Sequence, residues 1–418
     1  MTDTPDLREL SRIFGRIGVL SFGGPAGQIA LMHRELVDAR SWLTEKEFLS
    51  ALSFCMLLPG PEAMQLATYA GWKLRGVQGG LVAGGLFVLP GALVVLVLAI
   101  GYPYLGDLPL VEALFVGVKA AIVVIVLEAL FRISRKALAA PDHWILAGLS
   151  FLGIFALQVP FPLLIALAAA WGALRAPAGA GDAVALPRSD GTLRTIAVWG
   201  TLWLAPVALL WASGAALLTD IAVFFSKLAV VTFGGAYAVL AYMTQEVVQD
   251  QGWLTLPQMM DGLGLAETTP GPLILVTEFV GFLAGFGEGG LPLALAASVV
   301  TLWVTFVPCF LWIFAGAPYL DWITSRPRLK GALSAVTAAV VGVILNLSIW
   351  FAAHVFFRTV DSARFGPFET IAPVPGSIEP VAFGLAVLAG VLLFAVRLPL
   401  LSVLGLSAVS GAVLGVFA

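Results

Sequence analysis

Long runs of apolar residues, separated by short polar stretches, cover nearly the whole chain. Most runs approach or exceed the roughly 18 residues that an α-helix needs to cross the hydrocarbon core of a bilayer. The pattern therefore predicts an all-α polytopic membrane protein with roughly 10 to 13 hydrophobic segments. The runs lie at residues 13–32, 48–72, 76–101, 109–131, 143–158, 160–174, 194–218, 221–243, 259–284, 291–317, 331–357, 378–396 and 398–417.

Four of these runs are interrupted near their middles by glycine and proline, in the stretches SFGGPAG, LLPGPE, TFGGAY and TTPGP. Proline removes a helical hydrogen bond, and backbone freed in this way at membrane depth must be buried in protein or line a watered cavity. We therefore expect discontinuous or re-entrant helices in these four places.

The chain contains an internal repeat. A shift that places Phe22 on Phe233 also superposes Trp42-Leu43-Thr44 on Trp253-Leu254-Thr255 and Pro59-Gly60-Pro61 on Pro270-Gly271-Pro272. Shared apolar composition does not account for these matches in one register. We predict a first transporter repeat at 1–174, a polar linker at 175–193 rich in glycine and proline, and a second repeat at 194–418.

The charged loops indicate that the two repeats are inserted in opposite orientations. In the first repeat, the loop after the Pro-Gly-Pro run is basic and holds Lys73 and Arg75, and a second basic stretch follows at 132–136. In the second repeat, the loop after the Pro-Gly-Pro run holds the acidic Glu288, and the basic loop comes later, at 326–330. Short loops rich in lysine and arginine stay in the cytoplasm. Inverted repeats are typical of secondary transporters, whose substrate site lies near the bilayer midplane where broken helices meet.

The glycine and proline breaks are the candidate substrate site. A helix that begins at a break presents N–H groups and the positive end of its dipole, and such ends bind sulfate-like or phosphate-like anions. A tetrahedral oxyanion is the expected ligand; the alternative is that the breaks are kinks for close helix packing. The candidate binding residues are Gly23, Gly24, Pro25, Gln28, Pro59, Gly60, Pro61, Gln65, Gly234, Gly235, Thr268, Thr269, Pro270, Gly271 and Pro272.

Charged side chains in the apolar runs are candidates for proton coupling. Glu62, Glu267 and Glu278 lie beside the breaks, and a carboxylate at this depth is costly unless it has a function; capping a half-helix is the alternative role. Lys119 lies inside an apolar run with Glu112 two turns earlier on the same face. That pair either neutralises itself or contributes a cation to the substrate path.

Composition and missing motifs narrow the function. Hydrophobic residues make up 60% of the chain and charged residues 11%, with a net charge of -3 and no long basic block, which excludes an ordinary soluble enzyme and a nucleic-acid binder. The two cysteines, Cys55 and Cys309, are predicted to be packing residues, and we expect no metal and no cofactor. Without a P-loop lysine motif, transport must draw on ion or electrical gradients. We also expect no removable signal peptide.

The motifs SFGGPAGQIALMHRELV and LLPGPEAMQLATYAGWKLRG, with TFGGAYAVLAYMTQEVV and TTPGP in the second half, resemble the chromate ion transporter family in its long, two-domain form. The resemblance covers both halves. It implies an exporter of chromate in the inner membrane, driven by the proton motive force, that confers chromate resistance, with sulfate as the chemically similar competitor. By the same resemblance the glycines and prolines of all four breaks, Gln28 and Glu62 are motif positions, and Ala236 replaces Pro25 in the second half.

Other functions remain compatible with the sequence. A transporter of sulfate or another small oxyanion would use the same residues, and an anion channel of the same fold would need no alternating access. A membrane-embedded enzyme is not expected, because no nucleophile and base converge at one depth. The expected partners are a small anion and the lipid bilayer, with no nucleic acid, and a homodimer is compatible with the sequence.

Overall fold

The structure is a computed structural model and describes residues 5–22, 24–106, 108–177, 191–233, 236–365 and 368–417. Apolar helices dominate it, which confirms the prediction of an all-α polytopic membrane protein. The helices of the first half are α1 (Leu7–Leu20), α2 (Gly24–His33), α3 (Glu45–Cys55), α4 (Glu62–Leu105), α5 (Pro109–Ala137), α6 (Pro141–Phe155), α7 (Phe161–Arg175) and α8 (Thr192–Ala212). Those of the second half are α9 (Ala216–Val231), α10 (Ala236–Gln245), α11 (Leu256–Thr268), α12 (Val276–Gly316), α13 (Leu320–Thr324), α14 (Pro327–Phe356), α15 (Pro380–Gly390) and α16 (Leu400–Phe417).

Five stretches of the described helices are long and apolar enough to cross a membrane. They are Glu62–Leu105, Pro109–Ala137, Thr192–Ala212, Leu273–Thr324 and Pro327–Phe356. The predicted broken runs are indeed interrupted: the run at 13–32 becomes α1 and α2, and the runs around the two Pro-Gly-Pro motifs end one helix and begin the next. The half-helices α2 and α10 have 10 residues each, so each rises about 15 Å, roughly half of the hydrocarbon thickness.

The two longest helices fold back on themselves. In α4 the backbone leaves helical geometry at Arg75 and Gly76, and in α12 it does so at Gly289 and Gly290. Both turns place a glycine at positive φ, +61° for Gly76 and +66° for Gly290, a conformation that residues with a Cβ rarely adopt. Each long helix is therefore a short limb packed against a long one.

The internal repeat is visible in the hydrogen bonds that start the helices. Thr44 begins α3 with a capping box, in which its hydroxyl accepts from the Glu47 N–H and the Glu47 carboxylate accepts from the Thr44 N–H. Thr255 and Gln258 form the same box at the start of α11. A box of this kind satisfies two backbone donors that would otherwise lack partners.

Side chains on equivalent helices also make equivalent ion pairs. Arg16 on α1 lies 3.9 Å from Glu35, and Lys227 on α9 lies 3.9 Å from Glu246. Helix α1 therefore corresponds to α9. The predicted linker at 175–193 lies mostly outside the described residues.

The last helices of each repeat pack on the other repeat. Helices α6 and α7 pack against α14, whereas α15 and α16 pack against α5. Small residues allow the close approach in both places, since a Cβ on Gly172 would lie 2.1 Å from the Gly331 carbonyl oxygen and one on Gly411 would lie 2.5 Å from the Ala113 oxygen. The exchange of end helices joins the repeats into one body.

A two-stranded antiparallel hairpin, β1 (Val360–Phe365) with β2 (Phe368–Pro373), connects α14 to α15. The pattern of apolar runs predicted no strand here. In the first repeat, three residues connect the equivalent helix α5 to α6 (138–140), so the hairpin has no counterpart there.

Candidate functional site

The two Pro-Gly-Pro motifs hydrogen-bond across the repeats. The N–H of Gly60 donates to the carbonyl oxygen of Thr232 at 2.8 Å, and the N–H of Gly271 donates to that of Ser21 at 2.9 Å. Ser21 and Thr232 follow α1 and α9, and they are equivalent positions in the repeat. The first motif is thus held by the end of α9 in the second repeat, and the second motif is held by the end of α1 in the first repeat.

These bonds change one expectation about the site. We expected the breaks to present unpaired N–H groups, but the N–H groups of Gly60 and Gly271 are engaged with protein in this conformation. Both glycines have positive φ, +117° and +88°. Residues with a Cβ rarely adopt this backbone conformation, so a side chain at either position would strain the motif.

A small cavity lies where the motifs meet. Its volume is about 20 Å³, enough for about one water molecule, so it must widen to admit a tetrahedral oxyanion. The first turns of α2 and α4 and the 3₁₀ turn before α12 border it, which points the positive ends of three helices at one space. It is lined by Pro25, Gln28, Gly60, Pro61, Glu62, Ala63, Thr232, Pro272, Leu273 and Ile274.

Two buried glutamines hold the loops around this cavity. The Gln28 amide donates to the carbonyl oxygen of Gly271 at 2.6 Å, and the Gln65 amide donates to that of Pro59 at 2.6 Å. The Oε1 atoms of both glutamines are buried without a hydrogen-bond partner. A buried amide group with no partner is costly, and a ligand or an ordered water can satisfy it. Gln28 lines the cavity directly, and Cys309 packs against Gly60, since a Cβ on Gly60 would lie 3.0 Å from the Cys309 sulfur.

The remaining predicted binding residues lie at the same junction with more local roles. Thr268 and Thr269 end α11, and their hydroxyls donate to the backbone oxygens of Leu265 and Ala266. Pro270 packs against α4, because a Cβ on Gly91 would lie 2.3 Å from its carbonyl oxygen. Gly24 begins α2 at positive φ. Gly23, Gly234 and Gly235 lie outside the described residues.

Glu62 is the ionisable side chain among the described residues that line the cavity. It is the first residue of α4, where the helix dipole favours its negative charge. The other two candidate glutamates lie elsewhere, so the structure does not bring the three together.

Glu267 is 6% exposed and accepts a hydrogen bond from the Tyr237 hydroxyl at 2.9 Å. Both residues border a separate cavity of about 10 Å³ between α5, α10, α11 and α14. Leu347 lines this cavity and also a wider one of about 260 Å³ at the end of α10. The wider cavity is bordered by uncharged polar side chains, among them Gln158, Gln245 and Asn346.

Glu278 is buried in the short limb of α12, and its Oε2 has no hydrogen-bond partner. The long limb of the same helix carries three buried hydroxyls that also lack a partner, those of Ser298, Thr301 and Thr305. A Cβ on Gly281 would lie 2.2 Å from the Thr301 hydroxyl, so the limbs touch one turn from Glu278. These hydroxyls lie outside the glycine and proline motifs, and no sequence pattern marked them.

Lys119 pairs with a carboxylate that the sequence analysis did not consider. Its Nζ lies 3.1 Å from Oδ1 of Asp261 on α11, and Oδ2 of Asp261 accepts from the Tyr102 hydroxyl at 2.7 Å. Glu112, the partner suggested by helical spacing, has an exposed side chain. Helical spacing finds only neighbours on the same helix, whereas Asp261 approaches Lys119 through tertiary packing.

Comparison with known proteins supports the resemblance. The family model described as "Chromate transporter" matches residues 8–173 and 219–415. A chromate transport protein of Cupriavidus metallidurans is 31% identical over 357 residues, which cover 83% of this chain and 82% of that protein. A chromate transport protein of Pseudomonas aeruginosa is 33% identical over 349 residues, covering 79% of this chain and 77% of its own length.

A shorter relative has the length of one repeat. The protein YwrB of Bacillus subtilis, described as an uncharacterized transporter, is 31% identical over 170 residues, which are 40% of this chain but 86% of YwrB. No solved structure gives a significant match. The two-part match of the family model and the long relatives lead to one conclusion: this chain belongs to the chromate transporter family.

Proposed function

We propose that the protein is a secondary transporter that exports chromate across the inner membrane, driven by the proton motive force, and so confers chromate resistance. The observation that carries the proposal is the cavity between the two Pro-Gly-Pro motifs, to which both repeats contribute. The long relatives are described as chromate transport proteins, which supports chromate as the substrate. The site supplies a physical reason for an oxyanion.

The cavity suits an anion that is recognised by dipoles. Three helix starts border it, and the Gln28 amide lies in its wall, whereas no lysine or arginine lies among its described lining residues. Binding through dipoles leaves the anion without a fixed counter-charge, so it can leave again on the other side. We infer that the cross-repeat bonds of Gly60 and Gly271 open during transport and free their N–H groups for the substrate.

The membrane potential favours export of such a substrate. Moving one elementary charge through 100 mV is worth about 2.3 kcal/mol, so a dianion leaving an inside-negative cell gains about twice that. The electrical part of the proton motive force therefore drives efflux directly. We propose in addition that the two repeats are inverted, so that the cavity lies near the bilayer midplane and is reached from each side in turn.

Proteoliposome flux of chromate tests the proposal. Purified protein should move chromate toward the positive side of an imposed potential, with sulfate as a weaker competitor, and the rate should change when a pH gradient is added. Sulfate transport that ignores chromate would favour the sulfate transporter, and currents without saturation would favour a channel.

Variants at the acidic residues complete the experiment. Glu62→Gln, Glu267→Gln and Glu278→Gln each remove one charge with little change in size. The exposed Glu45→Gln is the matched control. If flux and its dependence on the pH gradient are unchanged in all three variants, none of these carboxylates carries the proton.

A further inference from the structure

The pair formed by Lys119 and Asp261 has no equivalent in the other repeat. Asp261 corresponds to Ser50 in the repeat register. The segment Lys119-Ala120-Ala121 of α5 matches Thr337-Ala338-Ala339 of α14, so neither counterpart carries a charge. The side chains of Asp261 and Lys119 are 9% and 19% exposed. A charge pair at this depth must compensate a large desolvation penalty, and removing one partner leaves a costly unpaired charge.

The pair ties a half-helix to two membrane-spanning helices. Asp261 lies in the middle of α11, Lys119 in α5 and Tyr102 near the end of α4. Helix α11 packs on α5 beside the pair, since a Cβ on Gly264 would lie 2.8 Å from Val118. The carboxylate of Asp261 is therefore the polar attachment of α11 to its surroundings on this side.

Helix α11 leads directly into the proposed site. It ends at Thr268, and Thr269, Pro270 and Gly271 follow. The Gly271 N–H donates to the Ser21 carbonyl oxygen, and the Gly271 carbonyl oxygen accepts from the Gln28 amide. From Asp261 to Gly271 the chain advances 10 residues, and at 1.5 Å per residue a helix of that length rises about 15 Å. A shift of α11 along or away from α5 must therefore displace the second Pro-Gly-Pro motif.

We propose that Asp261 binds the coupling proton and that its protonation releases α11 from Lys119. The inference rests on the proposed function, because it assigns the proton site of that same transporter. Protonation removes the negative partner of Lys119, so the ion pair is lost while Tyr102 can still donate a hydrogen bond. Release of α11 then lets the second motif part from Ser21 and open the cavity.

The groups around Asp261 define what else can titrate there. Lys119 lies on α5, and Glu112 lies two turns earlier on the same helix. Tyr102 comes from α4, and α12 presents Phe279, which packs edge-on against Tyr102 at 5.2 Å between ring centres. Phe279 has no ionisable group. Asp261 contacts both Lys119 and Tyr102, so loss of its negative charge breaks the ion pair of this attachment.

Hydrogen exchange of the full chain in nanodiscs tests the release directly. After correction for the intrinsic pH dependence, residues 256–268 should exchange faster as the pH falls, while α8 serves as the internal reference. Asp261→Asn mimics the protonated state, so its α11 should exchange fast at every pH. Tyr102→Phe removes one donor to the carboxylate, so the increase in exchange of residues 256–268 should persist but occur at higher pH. Glu112→Gln is the matched control and should keep the transition.

Flux separates this inference from the proposed function. An inward proton gradient of one pH unit supplies about a tenfold driving ratio per coupled proton, so it should accelerate chromate efflux from wild-type proteoliposomes. In Asp261→Asn that acceleration should be lost, while chromate exchange at equal pH persists. Retained acceleration in Asp261→Asn, or a Tyr102→Phe transition at the wild-type pH, overturns the inference and leaves chromate transport intact. A wild-type protein that moves no chromate but keeps the pH-dependent release overturns the substrate alone. If Asp261→Asn does not fold, the shift in Tyr102→Phe still decides.

Discussion

Glu62 lines the cavity that we assign to the oxyanion, and a carboxylate there repels a dianion. At a separation of several ångströms and an effective dielectric near 20, this repulsion is worth a few kcal/mol. Glu62→Gln should therefore tighten the apparent affinity for chromate by about tenfold. Initial rates in proteoliposomes over a range of chromate concentrations measure this affinity. An affinity that stays at the wild-type value, with Glu45→Gln as control, would place Glu62 outside the substrate path.

Gly91 tests the contact between α4 and the second motif. A methyl group at this position would lie 2.3 Å from the Pro270 carbonyl oxygen, so Gly91→Ala must push the motif away. Overpacking of this kind costs about 1–3 kcal/mol, and we expect a lower unfolding temperature together with a large loss of flux. Gly85→Ala is the control on the same helix, because its Cβ would meet nothing within 4 Å. Equal behaviour of the two variants would contradict the close approach.

Individual residues of the site could be predicted from the sequence where they belong to a motif that occurs in both repeats. The glycines and prolines of the breaks, Gln28 and Glu62 stand in a repeated motif, and most of their described members meet at the junction. The roles of Asp261 and Tyr237 could not be predicted in this way, because each contacts a residue on a distant segment of the chain. Asp261 pairs with Lys119, and Tyr237 donates to Glu267. Such pairs depend on helix packing rather than on spacing along one helix.

The capping boxes of α3 and α11 are matched elements, each leading into a Pro-Gly-Pro motif. The N–H and hydroxyl of Thr44 donate to the Glu47 carboxylate and lower its pKa. A carboxyl whose pKa is lowered on folding stabilises the fold above its unfolded pKa and loses that contribution as the pH falls through the folded value. This part of the stability is therefore present at neutral pH and is lost in acid.

Thr44→Ala and Thr255→Ala should each lower the free energy of unfolding by about 1 kcal/mol. Thermal unfolding in detergent at neutral pH measures the loss. The first variant should approach the wild type in acid, since the Glu47 contribution disappears there. The second should keep its deficit, because Gln258 does not titrate. A deficit of Thr44→Ala that is independent of pH would contradict this account.

At the level of elements, the repeat and the four breaks were predictable because glycine, proline and capping residues have strong local preferences. The sharp reversals inside α4 and α12 were not, although the turn glycines Gly76 and Gly290 occupy equivalent positions. Apolar runs on both sides of a short turn give the same signal whether the chain continues or folds back. The exchange of end helices between repeats is likewise invisible to a pattern of apolar residues.

For the whole molecule, the opposite insertion of the two repeats remains a prediction from the loop charges. Cysteines introduced singly at the exposed positions Lys73, Arg328 and Glu288, in a chain whose buried Cys55 and Cys309 are replaced, report the side of each loop. An impermeant thiol reagent should reach Lys73→Cys and Arg328→Cys from the cytoplasm and Glu288→Cys from the other side. Labelling of the first two from opposite sides would exclude the inversion.

If both Pro-Gly-Pro motifs form one oxyanion site, chromate must protect both of them in hydrogen exchange of the protein in nanodiscs. Saturating chromate should slow exchange in both 60–66 and 271–277, with the same concentration dependence. Gly91→Ala, which displaces the second motif, should weaken the protection of both segments. Protection confined to one repeat, or absent from both while chromate is still transported, would contradict a single shared site.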